Sequence, residues 1–283
     1  MAELWRGAPA ADALCAATAR AAAALSARGV VPALAIIRVG ERPDDIAYER
    51  GAMKCCERVG VRTRGVSLPA DATQERLVAA LRVLNDDASV HGILLLRPLP
   101  AGMDEDAVRN TLAQEKDVDG VTDLSLARIF AGGTAAYAPC TARACMEILN
   151  FYGVDLRGKR AVVVGRSLVI GKPVAMLLLA AHATVTICHS RTADLPAVCR
   201  SAEILIASAG SANLIDERCL SPGQIVLDVG VNADGDGKLC GDVDFEAARE
   251  IVAAITPVPG GVGAVTASVL AGNAVTAAMR ATE

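Results

Sequence analysis

The sequence predicts an α/β protein built on parallel sheets, and three observations predict it. Short apolar runs that end in Gly, Ser or Asn alternate with longer stretches of helical spacing, the pattern of strands joined by crossover helices. The 283 residues are 53% hydrophobic but only 2% aromatic, so the apolar mass comes largely from Ala, Val and Leu, which suit close-packed helices and buried strands. Runs such as Gly92–Leu96 and Arg160–Val164 are continuous rather than alternating, as burial on both faces of a sheet requires.

The first helix is read from Asp12 to Ala27, an Ala-rich run with a stop at Gly29. Ala33–Val39 is a strand closed by Gly40, and Pro43 with Asp44 opens a second helix through Tyr48 to Val59. Residues 61–68 alternate as a strand, Thr73–Leu84 has helical spacing, and the strand Gly92–Leu96 is closed by Arg97-Pro98-Leu99-Pro100. Two further strand–helix units are expected before a second start at Arg160–Val164, followed by strands Thr184–Cys188, Ile204–Ala207 and Ile225–Val229. A last helix runs from Thr266 to about Ala281. The domain boundary falls near residue 139: residues 1–138, completed by the helix at 266–283, form one domain, and residues 139–265 form the other.

Charge and cysteine usage exclude several classes. Lys plus Arg at 28 against Asp plus Glu at 32 gives a net charge of −4 without a basic run, so neither nucleic acid nor an anionic membrane is expected as a partner. Nine scattered cysteines with no CxxC read as buried thiols in a reducing cytoplasm, with no metal site. Glu3 and Arg20 rule out a signal peptide or membrane span in the first residues.

The chemistry concentrates in two segments. Gly165-Arg166-Ser167 to Gly171-Lys172-Pro173 lies between a strand and a helix, where glycines admit a ligand to the backbone and a helix N-terminus offers free N–H groups to a phosphate. The spacing is not GxGxxG, and a tight turn without a ligand is the competing reading. At the end of the next strand, Ser190 and Arg191 stand where an acid would grip a ribose hydroxyl. A hydroxyl and a guanidinium suit a 2′-phosphate, hence NADP rather than NAD, with plain surface basicity as the alternative for Arg191. Thr256–Gly263, with two prolines and three glycines, is a shaped, ligand-facing loop.

Long motifs accompany these segments: His91–Pro100 (HGILLLRPLP), Lys116–Gly120 (KDVDG), Pro139–Thr141, Val162–Pro173, Ala183–Thr192, Asp228–Asn232 (DVGVN), Gly241–Val243 (GDV) and Ile255–Gly263 (ITPVPGGVG). With them the chain resembles the methylenetetrahydrofolate dehydrogenase/cyclohydrolase (FolD) family over almost its whole length. The resemblance implies two α/β domains flanking a cleft, the second a Rossmann-type NADP-binding domain with a parallel sheet, and a homodimer formed through that domain. It implies hydride transfer from 5,10-methylenetetrahydrofolate to NADP, then opening of the methenyl product by water. Carried over by position, Thr141, Gly165, Arg166, Ser167, Gly171, Ser190, Arg191, Val229, Val231 and Thr266 match cofactor contacts. Pro259, Gly260, Gly261, Val262 and Gly263 match the loop beside the folate. Asp119 matches the carboxylate that holds the pterin, an apt group because it accepts paired N–H bonds from an aminopyrimidine edge.

Two segments carry the main breaks in the family pattern. Its Ser-x-x-Tyr-x-x-x-Lys reads here as Asp45, Tyr48 and Ala52, so Tyr48 is in register and the Lys is missing. Lys54 is no substitute, since six positions turn it by about 240° around the helix. The family Gln that tunes that Lys is Leu96, and Arg97 stands beside it in place of Leu. Ala142 and Ala264 replace two further prolines. Tyr48 is expected to line the folate site, while Arg97 either faces it or points to solvent.

Hydride transfer needs mainly orientation and survives without a general base, whereas hydration does not. The leading reading is an NADP-dependent methylenetetrahydrofolate dehydrogenase with weak or absent cyclohydrolase activity, in keeping with dehydrogenase-only family members that lack the Lys. Two others stay open: a repurposed oxidoreductase acting on another C–N centre through Arg97 and Asp45, and a silent paralogue that binds NADP.

Overall fold

A computed structural model describes residues 1–283 apart from 134, 135, 234 and 236. The chain begins with β1 (Glu3–Leu4) and α1 (Gly7–Ala27), then β2 (Ala33–Val39), α2 (Pro43–Arg58), β3 (Arg62–Leu68), α3 (Gln74–Asp86) and β4 (Gly92–Leu95). Helices α4 (Glu105–Arg109), α5 (Asp123–Phe130) and α6 (Cys140–Phe151) follow. After them come β5 (Arg160–Val164), α7 (Gly171–Ala180), β6 (Thr184–Cys188), α8 (Leu195–Arg200) and β7 (Ile204–Ala207). The chain closes with β8 (Ile225–Asp228), β9 (Asn232–Ala233), β10 (Leu239–Cys240), α9 (Phe245–Ile251), β11 (Ala254–Ile255) and α10 (Gly263–Arg280).

One compact unit comprises Asp12–Arg128, Gly133–Cys140 and Ala267–Glu283. Its parallel sheet has the order β3-β2-β4, with Leu34 opposite both Thr63 and Gly92. The central strand is fully covered, Leu34 through Ile37 being 0% exposed, which accounts for its unbroken apolar run. The two further strand–helix units expected here are not formed: among the described residues no strand lies between Leu95 and Arg160. Capping outcompetes pairing in that stretch. The Asp104 carboxylate accepts from the Ala107 N–H and starts α4, and the buried Asp117 carboxylate accepts from the Val121 and Thr122 N–H groups and the Ser125 hydroxyl around the start of α5.

The other unit comprises Met1–Ala11, Ile129–Gly132 and Thr141–Thr266. Its six-stranded sheet has the order β1-β11-β8-β7-β5-β6, parallel throughout. Strand order reverses at β5, whose neighbours are β6 and β7, and in open parallel sheets ligands bind outside the carboxyl ends of the strands at such a reversal. Residues 1–11, expected in the first domain, belong here instead: Glu3 and Leu4 pair with Ala254 and Ile255, and Trp5 stacks on Tyr152 with centroids 4.5 Å apart. Helix α1 also starts earlier than expected, at Gly7, because Pro9 is tolerated in a first turn whose N–H groups have no helical partner. No helix among the described residues is long and apolar enough to cross a membrane.

Candidate active site

The Lys116–Gly120 motif shows how one side chain is delivered to a site by its neighbours. The Lys116 ammonium donates to the carbonyls of Leu84, Asn85 and Asp87 at 2.6 to 3.0 Å, closing the end of α3. Asp117 caps α5. Val118 packs against Gly92, where a Cβ would lie 2.7 Å from its methyl carbon, so the glycine at the head of β4 lets this loop close on the sheet. Gly120 has φ +63°, and a Cβ there would meet the Tyr137 carbonyl at 2.3 Å. Only Asp119 is left to act outward. The Cys140 N–H donates to its carboxylate at 3.4 Å. Burial raises the Asp119 pKa above the usual carboxylate value, opposed by the Cys140 contact and by the positive charge of Arg97.

Helix α2 presents Asp45, Tyr48, Ala52 and Cys56 at spacings of three and four, one stripe of a helix. Desolvation pushes the Tyr48 pKa well above 10, and Asp119, Cys140 and Cys56 push it further. The phenol is therefore neutral, a hydrogen-bond donor and a flat ring rather than a base. One turn on, Ala52 is 1% exposed, and Leu96 at the end of β4 is 6% exposed. Two apolar side chains fill the places where the resemblance expects an ammonium and its amide partner. Lys54 lies exposed on the outer face of α2, along a groove it shares with Arg50, Met53, Glu57 and Arg62.

Arg97 is not a solvent-pointing residue. Its side chain is 18% exposed, its guanidinium donates to Glu105 at 3.2 Å, and its charge acts on Asp119. The second oxygen of Glu105 accepts from the Leu99 N–H, and Arg42 on α2 donates to the Pro98 carbonyl at 3.1 Å. Glu105 is thus a member of the site that the sequence does not single out; its only signal is an acid eight residues beyond Arg97 at a helix start. Asn273 is another: it holds the Val118 carbonyl at 2.8 Å beside Asp119, across 155 positions of sequence. Tyr48, Arg97 and Asp119 are brought together in this first unit.

The remaining predicted residues lie in the second unit. Gly165 follows β5 with φ +135°, and a Cβ there would stand 2.3 Å from the Ser208 carbonyl. A Cβ on Gly171 would stand 2.3 Å from the Gly165 carbonyl. Both glycines therefore let the N-terminus of α7 close onto the strand end, leaving a backbone cradle of the kind that phosphates occupy. The Ser167 hydroxyl accepts from the Ile170 and Gly171 N–H groups, so it caps α7 and retains its proton to donate. Arg166 and Ser167 are exposed at this turn. After β6, the His189 ring accepts from the Arg191 N–H at 3.1 Å and the His189 N–H donates to Thr192 at 2.8 Å, a turn that leaves Ser190 and Arg191 exposed. Val229 is buried at the end of β8, and Val231 beyond it is 70% exposed. Thr141 lies in the first turn of α6 and Thr266, buried, in the first turn of α10.

The loop of Pro259, Gly260, Gly261, Val262 and Gly263 is clasped by the start of α1: the Gly7 N–H donates to the Gly260 carbonyl at 2.9 Å, and a Cβ on Gly7 would lie 2.0 Å from the Gly261 carbonyl. Val262 is buried and anchors the loop. Among the described residues no group of three His, Cys, Asp or Glu side chains could hold a metal ion.

The family model for the tetrahydrofolate dehydrogenase/cyclohydrolase catalytic domain matches residues 5–119, and that for the NAD(P)-binding domain of the same family matches residues 139–282. The bifunctional protein FolD of Carboxydothermus hydrogenoformans is 50% identical over 279 residues, covering 98% of this chain and 97% of that protein. The bifunctional protein FolD 1 of Desulfitobacterium hafniense is 49% identical over 255 residues, covering 90% and 91%. The crystal structure of the bifunctional FolD enzyme of Campylobacter jejuni matches with a TM-score of 0.96 at 37% identity over 99% of both chains. The Trypanosoma brucei FolD, solved with NADP cofactor and an inhibitor, matches with a TM-score of 0.94 at 36% identity, covering 100% of this chain and 99% of that one. With both family models matched and half of all positions shared with a full-length relative, the chain belongs to the tetrahydrofolate dehydrogenase/cyclohydrolase (FolD) family.

Proposed function

We propose that the chain is an NADP-dependent methylenetetrahydrofolate dehydrogenase in which the following cyclohydrolase step is weak or absent. The observation that carries this reading is the pair Ala52 and Leu96, buried and apolar where hydration needs a proton-transferring side chain and its partner. Positioned acid–base groups contribute roughly 10²–10⁴-fold to such steps.

Asp119 accepts paired N–H bonds from the aminopyrimidine edge of the folate, and Tyr48, a neutral phenol, packs on its ring. Arg97, held by Glu105, supplies a fixed positive charge beside Asp119; a guanidinium does not give up its proton near neutral pH, so it orients but does not shuttle. The Gly165–Gly171 turn, Arg166 and Ser167 take the phosphates of the dinucleotide. Ser190 and Arg191 take its 2′-phosphate, and Thr141, Val229, Val231 and Thr266 complete the site. NADP, when bound, supplies the hydride acceptor. Residues 259–263 contribute a folate-facing loop. The folate-contacting Tyr48, Arg97 and Asp119 lie within 12–138, and the dinucleotide-binding residues within 139–266; the protein works as a cytoplasmic homodimer, checked by a sedimentation mass twice that of one chain.

The decisive assay follows methenyltetrahydrofolate by its absorbance. The protein with NADP is expected to form methenyltetrahydrofolate that decays at the uncatalysed rate; decay strongly accelerated by the protein refutes the second half of the proposal. Failure of folates, but not NADP, to raise the melting temperature refutes the first half.

A further inference from the structure

Two buried acids of the Asp228–Asn232 and Gly241–Val243 motifs have no part in the chemistry above. Asp228 closes β8 and Asp242 follows β10, at 3% and 0% exposure. The Asp242 carboxylate accepts from three successive backbone N–H groups, those of Ala209, Gly210 (3.0 Å) and Ser211 (2.9 Å), and from the Asn232 side-chain amide at 2.9 Å. Asp228 accepts from the N–H groups of Gly230, Asp242 and Val243 at 2.9 to 3.0 Å. Two glycines exist to admit these carboxylates: a Cβ on Gly230 would lie 2.2 Å from an Asp242 oxygen, and one on Gly241 1.8 Å from an Asp228 oxygen.

Three consecutive N–H groups converging on one point form a nest that suits an anion. Here the anion is a side chain of the protein itself. The segment it gathers, Ser208–Ser211, leaves the end of β7, beside β5 at the reversal of strand order. Ser208 abuts Gly165, and its hydroxyl donates to the Val164 carbonyl at 3.1 Å. The carboxylate therefore sets the backbone beside the Gly165 turn.

We propose that Asp242 is a positioning residue for the dinucleotide: its carboxylate locks residues 209–211 and Asn232 into one wall of the crevice between β5 and β7, opposite the Gly165 turn. This rests on the reading of that crevice as the NADP site. The test compares Asp242→Asn with Gln224→Ala. Gln224 is buried in the same unit, just ahead of β8, where its amide donates to the Cys199 and Ala202 carbonyls. Its loss therefore destabilises this unit at the opposite end of the strands.

With NADP binding measured calorimetrically well below both melting temperatures, Asp242→Asn is expected to weaken NADP about tenfold or more, as loss of charge-assisted bonds implies. Tetrahydrofolate affinity should hold, and Gln224→Ala should bind NADP like the parent despite its lowered melting temperature. Equal NADP affinity in the two variants overturns the proposal. If Asp242→Asn does not fold, Asn232→Ala, which removes one donor from the carboxylate, should raise the NADP KM by about threefold while kcat stays close to the parent value; an unchanged KM overturns the proposal. Absence of NADP binding by the parent protein overturns instead the reading of the crevice.

Discussion

The end of β5 and the end of β4 are built alike, each a buried parallel strand running into a turn that presents polar groups, yet they keep different amounts of the family chemistry. At β5, every requirement of a phosphate cradle is met by backbone: Gly165 at φ +135°, Gly171 packed on its carbonyl, and the start of α7 just beyond. Around β4 and α2 the expected chemistry rests on side chains, and two of the expected positions hold the buried, apolar Ala52 and Leu96, with Arg97 tied to Glu105 beside Leu96. The contrast separates the two half-reactions. Under the proposed function, hydride transfer depends on orientation, which the β5 turn provides, whereas hydration depends on a titratable group that neither Ala52 nor Leu96 supplies.

The contrast breaks most completely if the β5 cradle is filled. Gly165→Ala forces a side chain into a left-handed region against the Ser208 carbonyl, and kcat/KM for NADP reduction should fall by at least ~100-fold, read as NADPH absorbance. Retention of parent activity would mean that the dinucleotide binds elsewhere.

It is sharpened by restoring what β4 and α2 lack. The double substitution Ala52→Lys with Leu96→Gln should accelerate methenyltetrahydrofolate hydrolysis roughly 100-fold over the parent while dehydrogenase activity changes only a few-fold. No gain in hydrolysis would place the deficit outside this pair.

A smaller effect is expected at Asp119. Asp119→Asn removes the charged acceptor of the aminopyrimidine edge, and the folate KM should rise by about 10- to 30-fold with the NADP KM unchanged. The smallest is at Arg97, which is partly solvated. Arg97→Leu should shift the folate KM by about threefold, and no shift would remove it from the site.

Much of this was legible along the chain, for identifiable reasons. Strands at 33–39, 160–164 and 204–207 fall where continuous apolar runs end at turn residues, because burial on both faces leaves a local signature. Tyr48 in register above Ala52 needed only the helical repeat. The two strand–helix units expected between Pro100 and the second start at Arg160 are not formed. Whether Val118 and Val121 pair in a ladder or close a capped turn is decided by Asp117 and by Gly92, and neither advertises that role.

The sequence alone determined the alternation of strand and helix and the glycine turn after β5, since each depends on residues within a few positions of one another. Tertiary structure alone decided that residues 1–11 join the second sheet through Ala254 and Ile255, that Arg97 turns to Glu105 rather than to solvent, and that Asp242 gathers the N–H groups of residues 209–211. In each of these cases a group's partner comes from another segment of the chain. Burying a polar group costs least where such a partner is in place.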